Sequence, residues 1–169
     1  GSGQQCLAGS RIVVERPVAD AFIDAFVARM RNVRVGDPFD PATEVGPMAF
    51  AAHRDKVLSY VDIARDEGAQ VLCGGRAPDG LGDGYFVEPT AVLAASNATR
   101  VCQEEIFGPF ASLLVVDDVD AAVRVANDSP FGLVGYVWSN DLPTVTRVAR
   151  HLQAGTVWVN TPLARDLRA

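Results

Sequence analysis

The sequence predicts an α/β fold, a single domain layered around a largely parallel sheet. Three observations lead there. Short apolar runs rich in Val, Ile and Leu alternate with segments of helical period along the whole chain. Phe110-Ala111-Ser112-Leu113-Leu114-Val115-Val116 is apolar almost throughout, as a strand covered on both faces requires. No linker, internal repeat or low-complexity stretch divides the chain.

Each element has a local reason. Gln4-Gln5-Cys6-Leu7-Ala8 favours helix and Gly9-Ser10 would stop it, which predicts a short helical turn around Cys6. Arg11-Ile12-Val13-Val14-Glu15 is a strand candidate. Pro17 sets a helix start, and Phe22, Phe26 and Met30 recur on one face with Ile23 and Val27, so residues 17–32 read as an amphipathic helix. Gly36-Asp37-Pro38-Phe39-Asp40-Pro41 is irregular, because two prolines and a glycine break any ladder. Helical period resumes near Phe50, runs through Val57, Leu58, Val61 and Ala64, and stops at Gly68.

Gln70–Cys73 is a short strand ended by Gly74-Gly75, and residues 76–84 are a loop. Residues 85–93 read as extended, with Pro89 suggesting an edge or a bulge. After the strand at 110–116, Asp118 caps a helix over 119–127. Leu133–Trp138 reads as another buried strand. A helix follows from Leu142 to about Gln153, carrying Val145, Val148 and Leu152 inward, and Thr156–Asn160 is the last strand.

Composition narrows the function classes. The chain has 169 residues, enough for one sizeable core. With 21 acidic and 15 basic residues its net charge is −6, which argues against a nucleic-acid surface. No apolar run is long enough to span a bilayer and no signal segment opens the chain, so no membrane partner is expected. The cysteines at 6, 73 and 102 have neither metal-ligand spacing nor an even count; they read as thiols of a reducing, cytoplasmic compartment, with no metal. His53 and His151 read as surface residues of helices.

Two stretches carry chemistry. A free cysteine is by default a buried small hydrophobe. In the predicted helical turn, however, unpaired N–H groups would lower the Cys6 pKa and stabilise a neighbouring oxyanion, which suits a nucleophile that reacts as thiolate. The second stretch is Val101-Cys102-Gln103-Glu104-Glu105-Ile106-Phe107-Gly108-Pro109. Adjacent acids before an apolar pair are commonly a solvated face beside a helix end.

Gly3-Gln4-Gln5-Cys6-Leu7-Ala8-Gly9-Ser10-Arg11 closely resembles the active-site cysteine motif of the aldehyde dehydrogenase superfamily, G-Q-x-C-x-A-x-S-R. Glu104-Glu105-Ile106-Phe107-Gly108-Pro109 matches that superfamily's E-E-I-F-G-P string without mismatch. Val35–Pro38, Val45-Gly46-Pro47, Gly84–Thr90 and Gly155–Asn160 look like further landmarks in the same order, so the resemblance covers essentially the whole chain.

The resemblance implies a three-layer aldehyde-dehydrogenase-like catalytic domain, truncated: residues 1–169 as the thiol-bearing fragment, with the cofactor-binding and oligomerisation domains absent. It implies that Cys6 is the nucleophile. It places Glu105 on the nicotinamide ribose hydroxyls of NAD or NADP, where a carboxylate can accept both hydrogen bonds, and Phe107 beside the nicotinamide. Glu104 receives no role. The family's general-base glutamate and oxyanion asparagine lie before the cysteine, outside this chain, and no Gly-rich dinucleotide fingerprint follows a strand here.

The segment Asn160–Arg168, with its R-D-L-R string, resembles the 2-hydroxymuconic and 5-carboxymethyl-2-hydroxymuconic semialdehyde dehydrogenases, whose substrates carry a carboxylate besides the aldehyde. An arginine fork binds a carboxylate bidentately. Arg165 is the expected residue and Arg168 the second choice; the alternative is a surface arginine paired with Asp166. The implied reaction runs through a thiohemiacetal and a thioester on Cys6 to the acid, on a small-molecule aldehyde, in a homo-oligomeric parent. The fragment alone is expected to oxidise aldehydes negligibly. Three alternatives stay open: a coenzyme A-acylating aldehyde dehydrogenase, a non-catalytic assembly module with a buried thiol, and a redox-sensing thiol with Cys102 as its candidate partner.

Overall fold

The computed structural model describes residues 2–162. In chain order they form β1 (Arg11–Glu15), α1 (Arg16–Arg31), α2 (Ala51–Asp66), β2 (Gln70–Cys73), β3 (Thr90–Leu93), α3 (Arg100–Gln103), β4 (Phe110–Val116), α4 (Val119–Asn127), β5 (Val134–Val137), α5 (Leu142–His151) and β6 (Thr156–Val159).

The main sheet has the order β1-β4-β3-β2. β1 and β3 flank β4 in parallel, with Arg11 opposite Ser112 and Thr90 opposite Phe110, and β2 closes the sheet antiparallel to β3. The interior position of β4 is the reason its sequence is apolar on both faces: all of its residues but Val115 are buried.

Side-chain alternation divides the core in two. On one face, Ile23, Phe26, Val27 and Met30 of α1 pack against Ala91, Leu113 and Cys73. On the other, Val57, Tyr60, Val61 and Ala64 of α2 pack with Val92, Phe110 and Leu114, joined by Val101 and Cys102 of α3. Helix, sheet and helices make the three layers, as the resemblance implies.

The structure corrects several expectations. The extended stretch at 85–93 becomes the shorter β3, an interior strand, and Pro89 stands just before it, where no ladder N–H is needed. The irregularity lies on the partner strand, between Val71 and Cys73 of β2. The buried strand read at 133–138 is β5, and only its Val137 is buried. β5 pairs in parallel with β6 in a separate two-stranded sheet, with Tyr136 opposite Trp158, and among the described residues no further strand flanks the pair. Helix α5 ends at His151 because Leu152 is already extended, and neither α4 nor α5 has a fully buried residue. Asp118 does cap α4: its carboxylate accepts the Ala121 N–H at 2.7 Å.

Candidate active site

Cys6 is exposed, on a turn closed by the Ala8 N–H donating to the Gln5 carbonyl at 2.9 Å. The predicted helical turn is this one turn and no more. Gly9 and Ser10 lead directly into β1, and the Ser10 carbonyl accepts the Ser112 N–H at 2.8 Å. Among the described residues no helix starts at this turn. Cys6 is not the buried thiol that the assembly-module alternative supposes; the buried thiols are Cys73 and Cys102, where burial pushes both pKa values up.

Upstream, Gln4 ties the turn to the segment before α2. Its amide nitrogen donates to the Pro47 carbonyl at 3.2 Å and to Ser2 Oγ at 2.5 Å, while its Oε1 accepts the Ala49 N–H at 2.9 Å. Gly3, at φ +73°, lies against Gly108: a Cβ there would stand 2.0 Å from the Gly108 carbonyl oxygen. The two stretches singled out in the sequence thus meet backbone to backbone.

The 104–109 segment is held from several sides. Glu104 is no idle surface acid. Arg100 clamps its carboxylate at 2.8 and 3.0 Å and the Tyr60 hydroxyl donates to it at 2.5 Å. The Arg100 hydrogen bonds first, then that of Tyr60, lower its pKa to about 2. Burial, then the bond to Glu104, raises the pKa of Tyr60. Glu105 differs: its side chain is exposed and makes no hydrogen bond or ion pair among the described residues, whereas its carbonyl accepts from Lys56 Nζ at 3.0 Å.

Phe107 adopts φ +62°, a left-handed conformation that costs a bulky residue about 1–3 kcal/mol. The surroundings hold it there. His53 Nε2 lies 2.7 Å from the Phe107 carbonyl, and because a carbonyl only accepts, Nε2 carries the proton. The two rings meet edge to face, 6.1 Å between centroids. His53 was read from the sequence as a surface residue; it is half-buried and part of the site. The available signal was its place one turn before Val57 on the inward face of α2.

Downstream, the turn is held from the second sheet. The Tyr136 hydroxyl donates to the Leu7 carbonyl at 2.7 Å, and a Cβ on Gly9 would stand 3.6 Å from the Tyr136 ring. That ring stacks on Trp158 at 5.2 Å between centroids. No sequence signal pointed to Tyr136. Arg165 and Arg168 lie outside the described residues. A hollow of about 280 Å³, lined by Asp120, Val123, Arg124, Arg147 and His151, sits between α4 and α5 and includes none of the residues above. No helix among the described residues is long and apolar enough to cross a membrane.

Fold and site together define a class: a three-layer α/β domain that presents a thiol and a carboxylate from two loops packed on each other. The family is explicit in comparison with known proteins, because residues 1–169 match the model of the Aldehyde dehydrogenase family, and the chain belongs to it. It is 44% identical to the 5-carboxymethyl-2-hydroxymuconate semialdehyde dehydrogenase of Escherichia coli over 99% of this chain and 36% of that protein. It is 41% identical to the betaine aldehyde dehydrogenase of Mesorhizobium japonicum over 94% of this chain and 33% of that protein. The fold superposes with a TM-score of 0.96 on the betaine aldehyde dehydrogenase of Staphylococcus aureus in complex with NAD+, at 40% identity, covering 99% of this chain and 34% of that one. The chain spans about a third of the length of these relatives.

Proposed function

We propose that the protein carrying this chain is an NAD(P)-dependent aldehyde dehydrogenase whose nucleophile is Cys6 and whose substrate is an aldehyde bearing a carboxylate. The observation that supports it most is the contact of Gly3 with Gly108, which brings the turn of an exposed thiol against the loop of an exposed carboxylate that no described residue engages.

As a thiolate, Cys6 attacks the aldehyde carbon; a C–S bond forms and the carbonyl π pair moves onto oxygen, giving a thiohemiacetal. By the family resemblance, the Cys6 backbone N–H is one donor to that oxyanion. NAD(P), when bound, supplies the hydride acceptor. The chain's own residues fit its nicotinamide ribose end. Lys56 and His53 engage the backbone carbonyls of Glu105 and Phe107, which leaves the exposed Glu105 carboxylate to accept hydrogen bonds from a vicinal diol. The half-buried Phe107 ring provides an apolar side wall. The base for thioester hydrolysis and the rest of the dinucleotide site belong to other parts of the protein. Three unpaired cysteines fit a reducing, cytoplasmic setting.

The substrate reading rests on Arg165, with Arg168 second, and is supported by the semialdehyde dehydrogenase of E. coli among the relatives. The betaine aldehyde dehydrogenases favour a second reading, a cationic aldehyde. The test uses the native protein that carries this sequence. Cys6→Ser should abolish turnover, by about a thousandfold or more. Arg165→Ala should raise KM for an acidic semialdehyde about tenfold while sparing a neutral aldehyde. Equal effects on both aldehydes would sink the carboxylate reading, and a preference for betaine aldehyde would replace it.

A further inference from the structure

We infer that Tyr136 is the positioning residue of the Cys6 thiol. The inference rests on the reading of Cys6 as nucleophile and goes beyond it, because Tyr136 comes from the other sheet and matches no part of either motif.

Among the described residues, the Cys6 turn is a short bridge held from outside on both sides. Gln4 fastens the upstream side with three hydrogen bonds from its side chain. Between Cys6 and β1, the Ser10 carbonyl accepts the Ser112 N–H at 2.8 Å, and nearer the thiol the Tyr136 hydroxyl donates to the Leu7 carbonyl at 2.7 Å, reinforced by the Tyr136 ring against Gly9. The turn's own closure, Ala8 N–H to the Gln5 carbonyl, spans Cys6 and Leu7. Fixing the Leu7 carbonyl fixes the Leu7–Ala8 peptide plane, and that plane carries the N–H that closes the turn. A hydroxyl donor on a half-buried carbonyl therefore sets the backbone on which the thiol stands.

Tyr136 suits this task because it is itself constrained. Its backbone pairs with Trp158 in the β5–β6 ladder, and its ring stacks on the Trp158 indole with planes 23° apart. A phenol held on a strand keeps its oxygen in one place more accurately than a flexible loop donor would. With the hydroxyl gone, the ring can stay stacked but the Leu7 carbonyl loses its partner, so the turn samples other peptide orientations. Attack on a carbonyl carbon requires the sulfur within a narrow range of distance and angle, and loss of that alignment lowers the rate without altering how substrate binds.

The experiment is Tyr136→Phe in the native protein that carries this sequence, with the reactive thiol titrated so that kcat refers to competent sites. The expected result is a fall in kcat of about tenfold, with KM for aldehyde and cofactor within about twofold of the parent's. The melting temperature should stay within about 3 °C. Hydrogen exchange at the Ala8 amide should accelerate about tenfold, while amides of β4 keep their protection. A residue that merely supports the fold would lower the number of titrated sites and leave kcat per site intact, and that outcome overturns the inference. So does unchanged exchange at Ala8. Cys6→Ser separates the two ideas. If it retains turnover, the nucleophile reading falls and this inference with it. If it is inactive and Tyr136→Phe is normal per site, only the positioning role falls.

Discussion

Gly3 and Gly108 touch through their backbones, so closely that a Cβ on the first would stand 2.0 Å from the carbonyl oxygen of the second. A Cβ on Gly108 would in turn stand 2.6 Å from Val57 Cγ2. The thiol turn, the 104–109 segment and α2 are therefore stacked with no room for a methyl group. Gly3 also needs φ +73°, which strains any other residue. Gly3→Ala is expected to destabilise the fold by about 2–3 kcal/mol, read as a lower urea midpoint with an unchanged slope. An unchanged midpoint would mean that the two loops separate freely.

The hydrogen bond from His53 to the Phe107 carbonyl holds a left-handed phenylalanine in place. His53→Ala leaves that carbonyl without its donor and should cost about 1–2 kcal/mol of stability. His53→Gln, which keeps an N–H donor on a side chain of similar reach, should restore most of it. Equal losses in the two variants would assign the effect to ring packing on Phe107 instead of the hydrogen bond.

Glu104 makes stability depend on acid in a defined window. Its pKa is lowered from the ordinary 4.5 to about 2 by Arg100 and then Tyr60, so the unfolded chain takes up its proton first as pH falls. The stabilisation is complete above about pH 4.5 and is lost as pH drops through about 2. Glu104→Gln should melt below the parent at pH 7, with the gap closing toward pH 2. Because the pair is exposed, added salt should narrow the gap at pH 7. A gap that stays constant from pH 7 to pH 2 would show that the effect is not ionic.

Glu105 is the contrasting acid, with a carboxylate that no described residue engages. Glu105→Gln should leave the melting temperature almost unchanged and, in the native protein, raise KM for NAD(P) about tenfold with aldehyde KM unaltered. A loss of folding stability would assign Glu105 a structural role.

The layers were legible in the sequence because strand burial is written in composition. The apolar run at Phe110–Val116 reads as a covered strand and is one, and Asp118 reads as a cap and is one. The split into two sheets was not legible. Leu133–Trp138 is as apolar as a buried strand, and apolar content alone does not say whether a second layer covers it. In the site, Cys6, Glu105 and Phe107 were read from their motifs, and the structure brings the two motif loops together through Gly3 and Gly108. The residues that hold those loops, His53 and Tyr136, act on backbone carbonyls distant in sequence, at Phe107 and Leu7. Such contacts leave no periodicity and no short-range spacing to detect. The short turn expected at Cys6 is present but extends no further: local propensity favours it, and pairing of β1 with β4 begins too soon after it for a second turn to form.

The distribution of the three thiols has a practical side. Cys6 faces solvent, whereas Cys73 lies under α1 and Cys102 lies among α2, α3 and the sheet. The folded chain consequently offers one address to an electrophile supplied in limited amount, with no need to replace the other two cysteines. A fluorophore or spin label placed there stands on the very turn whose order Gln4 and Tyr136 maintain, so the unaltered sequence can be made to signal its own loosening.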